Sequence, residues 1–201
     1  DDGTPTVDQR PGVKKMPPVG SIFVLITLTL WMSIYWGIYG NTLHFSWFNF
    51  VKFYSVFFGA IFFQWLRTAD FKPLYGKIIY GLLALNILEA CIADMTKCSV
   101  LNGMAGMLLI ISQPLPKTAK MDSKTNDILY ATSWFWILGY TLWNFTFLYG
   151  HQLVNAIPLA VLHLGVPLLL SISNSASYIE NRTYALAFTI FLWVFPPSRA
   201  Y

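Results

Sequence analysis

Seven segments of the chain are predominantly apolar and are separated by stretches rich in charged residues, proline and glycine. They cover residues 22–39, 50–66, 77–94, 98–113, 128–149, 154–172 and 183–196. A helix needs about 20 mostly apolar residues to cross a bilayer. The pattern therefore predicts an all-α fold, a polytopic transmembrane helix bundle of about seven spans. The fourth and seventh segments are short and contain glycine or proline breaks, so we expect them to be tilted, re-entrant or packed inside the bundle.

The composition indicates the same class of protein. Of the 201 residues, 56% are hydrophobic and 11% are charged, and the mean hydropathy is +0.53. A soluble domain typically has about 25% charged residues. The charged residues are too few to cover a water-facing surface, and the same figures exclude a disordered chain, a collagen-like rod and a disulfide scaffold. Cys91 and Cys98 are too few for a metal or redox framework, so we expect buried thiols.

The charges between the segments orient the predicted bundle. With seven spans, ten of the thirteen Lys and Arg residues fall on the side of the N-terminus, and Lys52, Lys97 and Arg199 fall on the other. Short loops on the cytosol-like side of a membrane collect Lys and Arg. We therefore expect the N-terminus on the positive side, whether this is stroma, matrix or cytoplasm.

The two ends of the chain differ from the apolar part. Residues 1–20 contain four prolines and three glycines, so we expect an extended, non-helical arm lying on the membrane or on a partner. Residues 21–197 then form a single transmembrane helical domain, with a tail at 198–201. The first residue is Asp1, which favours an organellar protein that has lost a transit peptide, in the thylakoid or alternatively the mitochondrial inner membrane. The alternative is that the sequence begins inside a longer chain.

Polar side chains occur within three of the predicted spans. The candidates for a polar layer inside the membrane are Asn86, Glu89, Asn102, Trp143 and Asn144. At 1.5 Å rise per residue, Glu89, Asn102 and Asn144 all lie ~6–8 Å from helix ends on the charge-poor side. We expect these three side chains to meet, within hydrogen-bonding or single-water reach. Such a layer fixes helix register by hydrogen bonding, or binds a ligand or ion, or contacts a pigment or lipid.

The role of Glu89 depends on its neighbours. If no cation lies next to this side chain, we expect it to be a neutral hydrogen-bond donor to an amide oxygen. In that case Glu89→Gln costs little, on the order of 1 kcal/mol.

The histidines and aromatic residues suggest pigment contacts. His163 lies midway along the sixth segment, where it is either a packed neutral imidazole or an axial ligand to a tetrapyrrole metal. With His151 and Glu89, it forms the set of possible pigment ligands. No His or Cys spacing typical of a dedicated metal site is present in the sequence. The eight Trp, eleven Tyr and sixteen Phe suit interfacial belts and core packing, and also the flat faces of chlorophyll or carotenoid and bound lipid.

Four stretches of the sequence carry a family resemblance: VKFYSVFFGAIFF, LNILEACIADM, LNGMAGMLLII and SWFWILGYTLWNFTFLYG. Through them, about residues 51–193 resemble a domain-of-unknown-function family of polytopic membrane proteins found mainly in bacteria. The matching positions are Asn86, Glu89, Asp94, Asn102, Gly103, Gly106, Trp134, Trp136, Trp143 and Asn144. Thr141 departs from the pattern, since that family commonly has an acidic residue there. The resemblance implies the topology, but it lends no activity.

Two functions are compatible with these patterns. The sequence has no Walker motif, no GxSxG elbow and no basic aromatic surface, so we expect neither an enzyme nor a nucleic-acid partner. The first hypothesis is a non-catalytic accessory subunit of a large organellar complex of the photosynthetic, photosystem type, in contact with other membrane subunits and the lipid bilayer. The alternative is a small transporter, channel or sensor that uses the Glu89, Asn102 and Asn144 layer.

Overall fold

The computed structural model describes residues 19–39, 47–97, 99–150, 158 and 160–194. The predicted arm therefore lies outside the described residues, except for its last two positions, which already belong to the first helix. The predicted tail, Cys98 and His151 also lie outside them. Within the described residues the chain is mainly α-helical, which confirms the all-α class. The helices are α1 Val19–Tyr39, α2 Trp47–Leu66, α3 Pro73–Thr96, α4 Val100–Ser112, α5 Trp134–Gly150, α6 Val166–Leu170 and α7 Tyr178–Val194.

One of these helices is long and apolar enough to cross a membrane. This helix is α3, with 24 residues. Shorter apolar stretches in the described residues are Ile22–Trp31, Phe50–Leu66, Val100–Ser112 and Val161–Leu170. At 1.5 Å per residue, α4 measures roughly 20 Å, against about 30 Å for the hydrocarbon core of a bilayer. The seven-span arrangement thus stays a prediction.

The prediction that a helix begins at residue 128 is wrong. A short strand, β2 (Ile128–Tyr130), pairs antiparallel with β1 (Ala119–Met121), and α5 begins only at Trp134. Ile128 and Tyr130 are each 1% exposed, so they join the main core as part of a hairpin. Burial raises the pKa of the Tyr130 hydroxyl, which donates to the Pro114 carbonyl oxygen. Apolar side chains bury equally well from a strand or a helix, which explains the error.

An ion-pair cluster ties this hairpin to the helices. Arg67, just after α2, pairs with Asp127 in the hairpin turn and lies 3.3 Å from the Glu180 carboxylate at the start of α7. The second Glu180 oxygen accepts from the Ile128 backbone N–H at 2.6 Å. The cluster therefore fixes the ends of α2 and α7 against the hairpin at one end of the molecule.

The sixth apolar segment contains a distorted helix. Val161–Gly165 is a π-helical turn, and α6 follows it with Pro167 in its first turn. Proline has no N–H to donate and its ring clashes with the carbonyl four residues earlier, which here belongs to His163. The wider π turn relieves that clash and places His163, which is 5% exposed, in the interior.

The helices bury an apolar core that also holds several charged side chains, and they expose many large apolar side chains. α3 packs against α2 and α4, α2 against α1 and α7, and α4 against α5. Gly106 lets α4 approach closely, since a Cβ there would overlap Cys91 Sγ and lie 2.8 Å from the Trp143 ring. Large apolar side chains cover the exterior, among them Phe135 (90% exposed) and Leu101 (84% exposed).

Candidate functional site

The first part of the candidate site is an ion pair between α2 and α3, in which Glu89 is buried and the Lys52 side chain is 14% exposed. Lys52 Nζ lies 2.9 Å from Glu89 Oε2 and donates to Asn86 Oδ1 at 2.8 Å and to the Asn86 carbonyl at 2.9 Å. Ser55 Oγ donates to the same Glu89 oxygen at 3.2 Å. The residues of each helix are three apart, so each pair occupies one helical face, and these two faces meet. We call Lys52, Ser55, Asn86 and Glu89 the Lys52 group.

The second part surrounds Arg182 on α7. Its Nη2 lies 2.6 Å from His163 Nε2 and 3.3 Å from Asn144 Oδ1, and its Nη1 lies 3.3 Å from His163 Nδ1. All three residues are buried, and Arg182 is 4% exposed. Because a guanidinium only donates hydrogen bonds, the shorter contact makes His163 Nε2 an acceptor. We call Asn144, His163 and Arg182 the Arg182 group.

Tyr140 on α5 connects the two groups. Asn86 Nδ2 donates to the Tyr140 hydroxyl at 3.2 Å, and Arg182 Cζ lies 5.6 Å from the Tyr140 ring centroid. This distance is typical of a cation–π contact. Tyr140 also stacks on Trp136, with the ring centroids 5.0 Å apart. The aromatic ring therefore supports the guanidinium on one side of a continuous polar network.

The charges of this network do not balance. Lys52 and Arg182 are cations, and Glu89 is the one carboxylate of the two groups. Among the described residues, no carboxylate forms an ion pair with Arg182, since the ion pairs there join Lys52 to Glu89 and Arg67 to Asp127 and Glu180. Arg182 Nε and Glu89 Oε1 are buried and have no hydrogen-bond partner in the described part of the chain. A buried charge without a counter-charge is costly, so Arg182 needs a further explanation.

A cavity of about 50 Å³ lies between α2, α3, α5 and α7. Its polar lining comes from Ser55, Asn86, Tyr140, Arg182 and Thr183. One water molecule needs about 10–15 Å³ of such volume. The cavity therefore has room for a few water molecules or one small solute beside the guanidinium.

Three of the predicted polar residues belong to the network, but the side chains of the predicted layer bind different partners. Asn86 and Glu89 belong to the Lys52 group and Asn144 to the Arg182 group, but Asn102 instead donates to Asp94 Oδ2 at 2.6 Å. Hence none of the side chains of Glu89, Asn102 and Asn144 bonds directly to another, and contact through a single water stays a prediction. Helix depth does not determine which neighbour each side chain faces, and the common level of these three residues stays a prediction.

Trp143 takes a supporting position in this region. Its Nε1 donates to the Asn102 carbonyl at 2.8 Å, which joins α5 to α4. Among the described residues, Trp143 makes no hydrogen bond to the Lys52 or Arg182 groups. It therefore belongs to the helix packing around the network.

Two cations of the network were missed by the sequence analysis, which counted Lys52 and Arg182 as loop charges. α7 begins at Tyr178, five residues before the predicted segment, so Arg182 lies on the helix. The sequence did contain a signal for Lys52, because this residue falls inside the segment 50–66. Lys52 and Ser55 are three residues apart, as are Asn86 and Glu89. No comparable signal marks Arg182.

The geometry favours one interpretation of His163. Its Nε2 accepts from Arg182, as expected of a packed, neutral imidazole. An axial metal ligand would need a free ring nitrogen, away from a guanidinium. His151 lies outside the described residues. Within the described ranges, no group of three metal-ligating side chains is present.

The geometry thus defines a helical protein with a buried, positively charged network. A family profile matches residues 96–199, which is more than half of the chain, and its description is a family of unknown function, DUF5692. The chain belongs to this family. No curated protein and no solved structure matches the chain.

The matched range covers only part of the network. It includes α4 to α7 and therefore the Arg182 group, whereas the Lys52 group on α2 and α3 precedes it. The expected resemblance to a family of unknown function, over about residues 51–193, is confirmed for residues 96–193, whereas residues 51–95 lie outside the match. That the family is bacterial and spans membranes stays a prediction.

Proposed function

We propose that the chain is an integral membrane protein of about seven spans that transports a small solute through the site formed by the Lys52 and Arg182 groups. The observation that carries the proposal is the buried charge of Arg182, which no carboxylate of the described residues neutralises and which borders a cavity. Charged side chains at membrane depth are rare and generally mark pathways or binding sites.

The exterior supports the membrane part of the proposal. Phe135, Leu101 and Ile111 are 90%, 84% and 76% exposed, and they lie on α5 and α4, which also contribute to the interior. Exposed large apolar side chains occur along most of the described helices, and large exposed apolar surfaces mark sites of contact with proteins or membranes. Lipid chains would cover these side chains, while the bundle keeps Lys52, Glu89 and Arg182 away from the hydrocarbon.

The site supports transport better than a purely structural role. The Lys52–Glu89 ion pair by itself is explained as a contact that fixes α2 against α3. Arg182 has no such explanation, because its partners in the described residues are a histidine, an amide oxygen, an aromatic ring and the Tyr178 hydroxyl, none of which is a carboxylate. The accessory-subunit hypothesis, with its photosynthetic complex, pigments, bound lipid and organellar location, has no specific support in these contacts and stays a prediction.

Solute uptake by reconstituted protein tests the proposal. The purified full chain would be inserted into phosphatidylcholine–phosphatidylglycerol liposomes. Light scattering would then follow reswelling after shocks with potassium chloride and potassium acetate (each with valinomycin), glycine and glycerol. We expect faster reswelling than in protein-free liposomes for at least one solute. Arg182→Gln should slow that uptake at least tenfold.

The matched control is Ser112→Ala, since this exposed hydroxyl bonds only to carbonyls of its own helix. It should leave the uptake unchanged. If wild-type protein admits none of the solutes and migrates in native gels of its own membranes only within a much larger pigmented complex, the transporter proposal is wrong.

A further inference from the structure

We infer that the site beside Arg182 binds a small monovalent anion, either a halide ion or a carboxylate group. This inference rests on the proposed function and specifies the class of its solute. Three observations support it together. The guanidinium is buried, it lines a cavity, and the surrounding network has one more positive than negative charge.

The guanidinium has the chemistry to bind an anion. Nη1 and Nη2 are directed to His163 and Asn144, whereas Nε is buried and has no acceptor among the described residues. An arginine nitrogen can only donate, and its bonds to anionic acceptors are about twice as strong as those to neutral ones. Water could accept from Nε, but it would leave the positive charge uncompensated.

The surroundings add further donors and restrict size. Tyr140 and Asn86 line the same cavity, and the Tyr140 hydroxyl hydrogen and the second Asn86 amide hydrogen can point toward an anion. Ser55 and Thr183 also line it, but their hydroxyls donate to Glu89 and to the Ile179 carbonyl. The volume of about 50 Å³ suits chloride or the carboxylate end of acetate, but not a large anion such as gluconate. With Lys52 paired to Glu89 at 2.9 Å, one negative charge neutralises the network.

The test measures anion-dependent stability of the full chain in detergent. A Cys98→Ser background leaves Cys91, which is fully buried, as the single thiol that reacts with a fluorogenic maleimide when the protein unfolds on heating. Sodium chloride or sodium acetate would replace sodium gluconate at constant ionic strength. A ligand at 100 times its Kd should raise the unfolding temperature of a protein of this size by about 5–10 °C. We expect a saturable rise of this order with chloride, acetate or both, and the two series distinguish a halide from a carboxylate.

Three variants connect the effect to the site. Arg182→Gln should abolish the rise, whereas Lys120→Gln, which removes the same charge from an exposed position on β1, should retain it. Since Arg182→Gln could fail to fold, Gly59→Val offers a second test. Gly59 lines the cavity, and its Cβ position makes only ordinary contact with Thr183, at 3.6 Å. The added methyl groups should fill the site and remove the anion effect with Arg182 intact.

The outcomes separate this inference from the transport proposal. The anion site is wrong if neither anion stabilises the wild type. It is also wrong if folded Arg182→Gln or Gly59→Val keeps the full rise in unfolding temperature. Either result counts against the site even if glycine or glycerol crosses the liposome membrane. If the anion effect depends on Arg182 but no solute crosses, the site stands as a bound-ion site and the transport proposal fails.

Discussion

Replacing Glu89 by glutamine removes the negative charge that lies 2.9 Å from Lys52 Nζ. The side chain keeps its size and can still accept from Ser55, so the change isolates the charge. From the sequence alone, with no cation assigned to Glu89, the expected cost is on the order of 1 kcal/mol. The structure leads to a much larger value, because the two groups would then hold two cations and no carboxylate.

The magnitude follows from the distance and the burial. At 2.9 Å and an effective dielectric constant of about 20, the attraction of the two charges is roughly 6 kcal/mol. Removing one partner of a buried pair typically costs about 3–5 kcal/mol, since the other charge stays buried. We therefore expect Glu89→Gln to reduce the free energy of unfolding by about 3–5 kcal/mol, which corresponds to about 6–20 °C for a protein of this size.

A double-mutant cycle measures this coupling. Glu89→Gln, Lys52→Met and the double variant would be heated in detergent in the Cys98→Ser background, with Cys91 labelling as the readout. The double variant should be more stable than either single variant, because neither charge of the Lys52–Glu89 pair is then left without its partner. Its recovery should be incomplete, since the two hydrogen bonds from Lys52 to Asn86 are also lost. A shift below 3 °C for Glu89→Gln, or a double variant no better than the worse single one, would refute the charge argument.

Three further predictions concern packing, the hairpin and topology. Gly106→Ala should destabilise the protein by about 1–3 kcal/mol through overlap with the Trp143 ring, measured by thermal unfolding in detergent. Glu180→Ala should cost about 2–3 kcal/mol, since it removes the acceptor of a buried backbone N–H and an ion-pair partner, and proteolysis of the hairpin should accelerate. Single cysteines at Ser46 and Ser123 in sealed vesicles should react with an impermeant maleimide from opposite faces, as seven spans require.

Each of these predictions has a clear opposing result. Unchanged stability of Gly106→Ala would show that α4 can move away from α3 and α5 at little cost. Gly81→Ala is its control, because apart from the adjacent residues and the backbone of its own helix no atom lies within 4 Å of that Cβ position. If the rate of hairpin proteolysis is unchanged in Glu180→Ala, the contacts of Glu180 do not stabilise the hairpin. Labelling of both serine positions from the same face would contradict the seven-span topology.

The sequence by itself determined the helical class and the approximate position of most helices. Runs of apolar residues between polar breaks predicted segments that overlap α1 to α5 and α7, because an α-helix satisfies its backbone hydrogen bonds locally. The three-residue spacing of Asn86 and Glu89 correctly indicated a shared polar face on α3. The glycines of the fourth segment were expected to act as breaks, but they lie within α4, where Gly106 allows a close approach to Cys91 and Trp143.

The tertiary structure decided which polar side chains meet. The rotation of α2 and α3 about their axes brings Lys52 to Glu89, and the earlier start of α7 carries Arg182 into the interior, next to His163 on the π turn. No local pattern encodes these contacts, because they join positions up to 38 residues apart, as for Asn144 and Arg182. Helix periodicity specifies a face, whereas the partner of that face depends on how all the helices pack together.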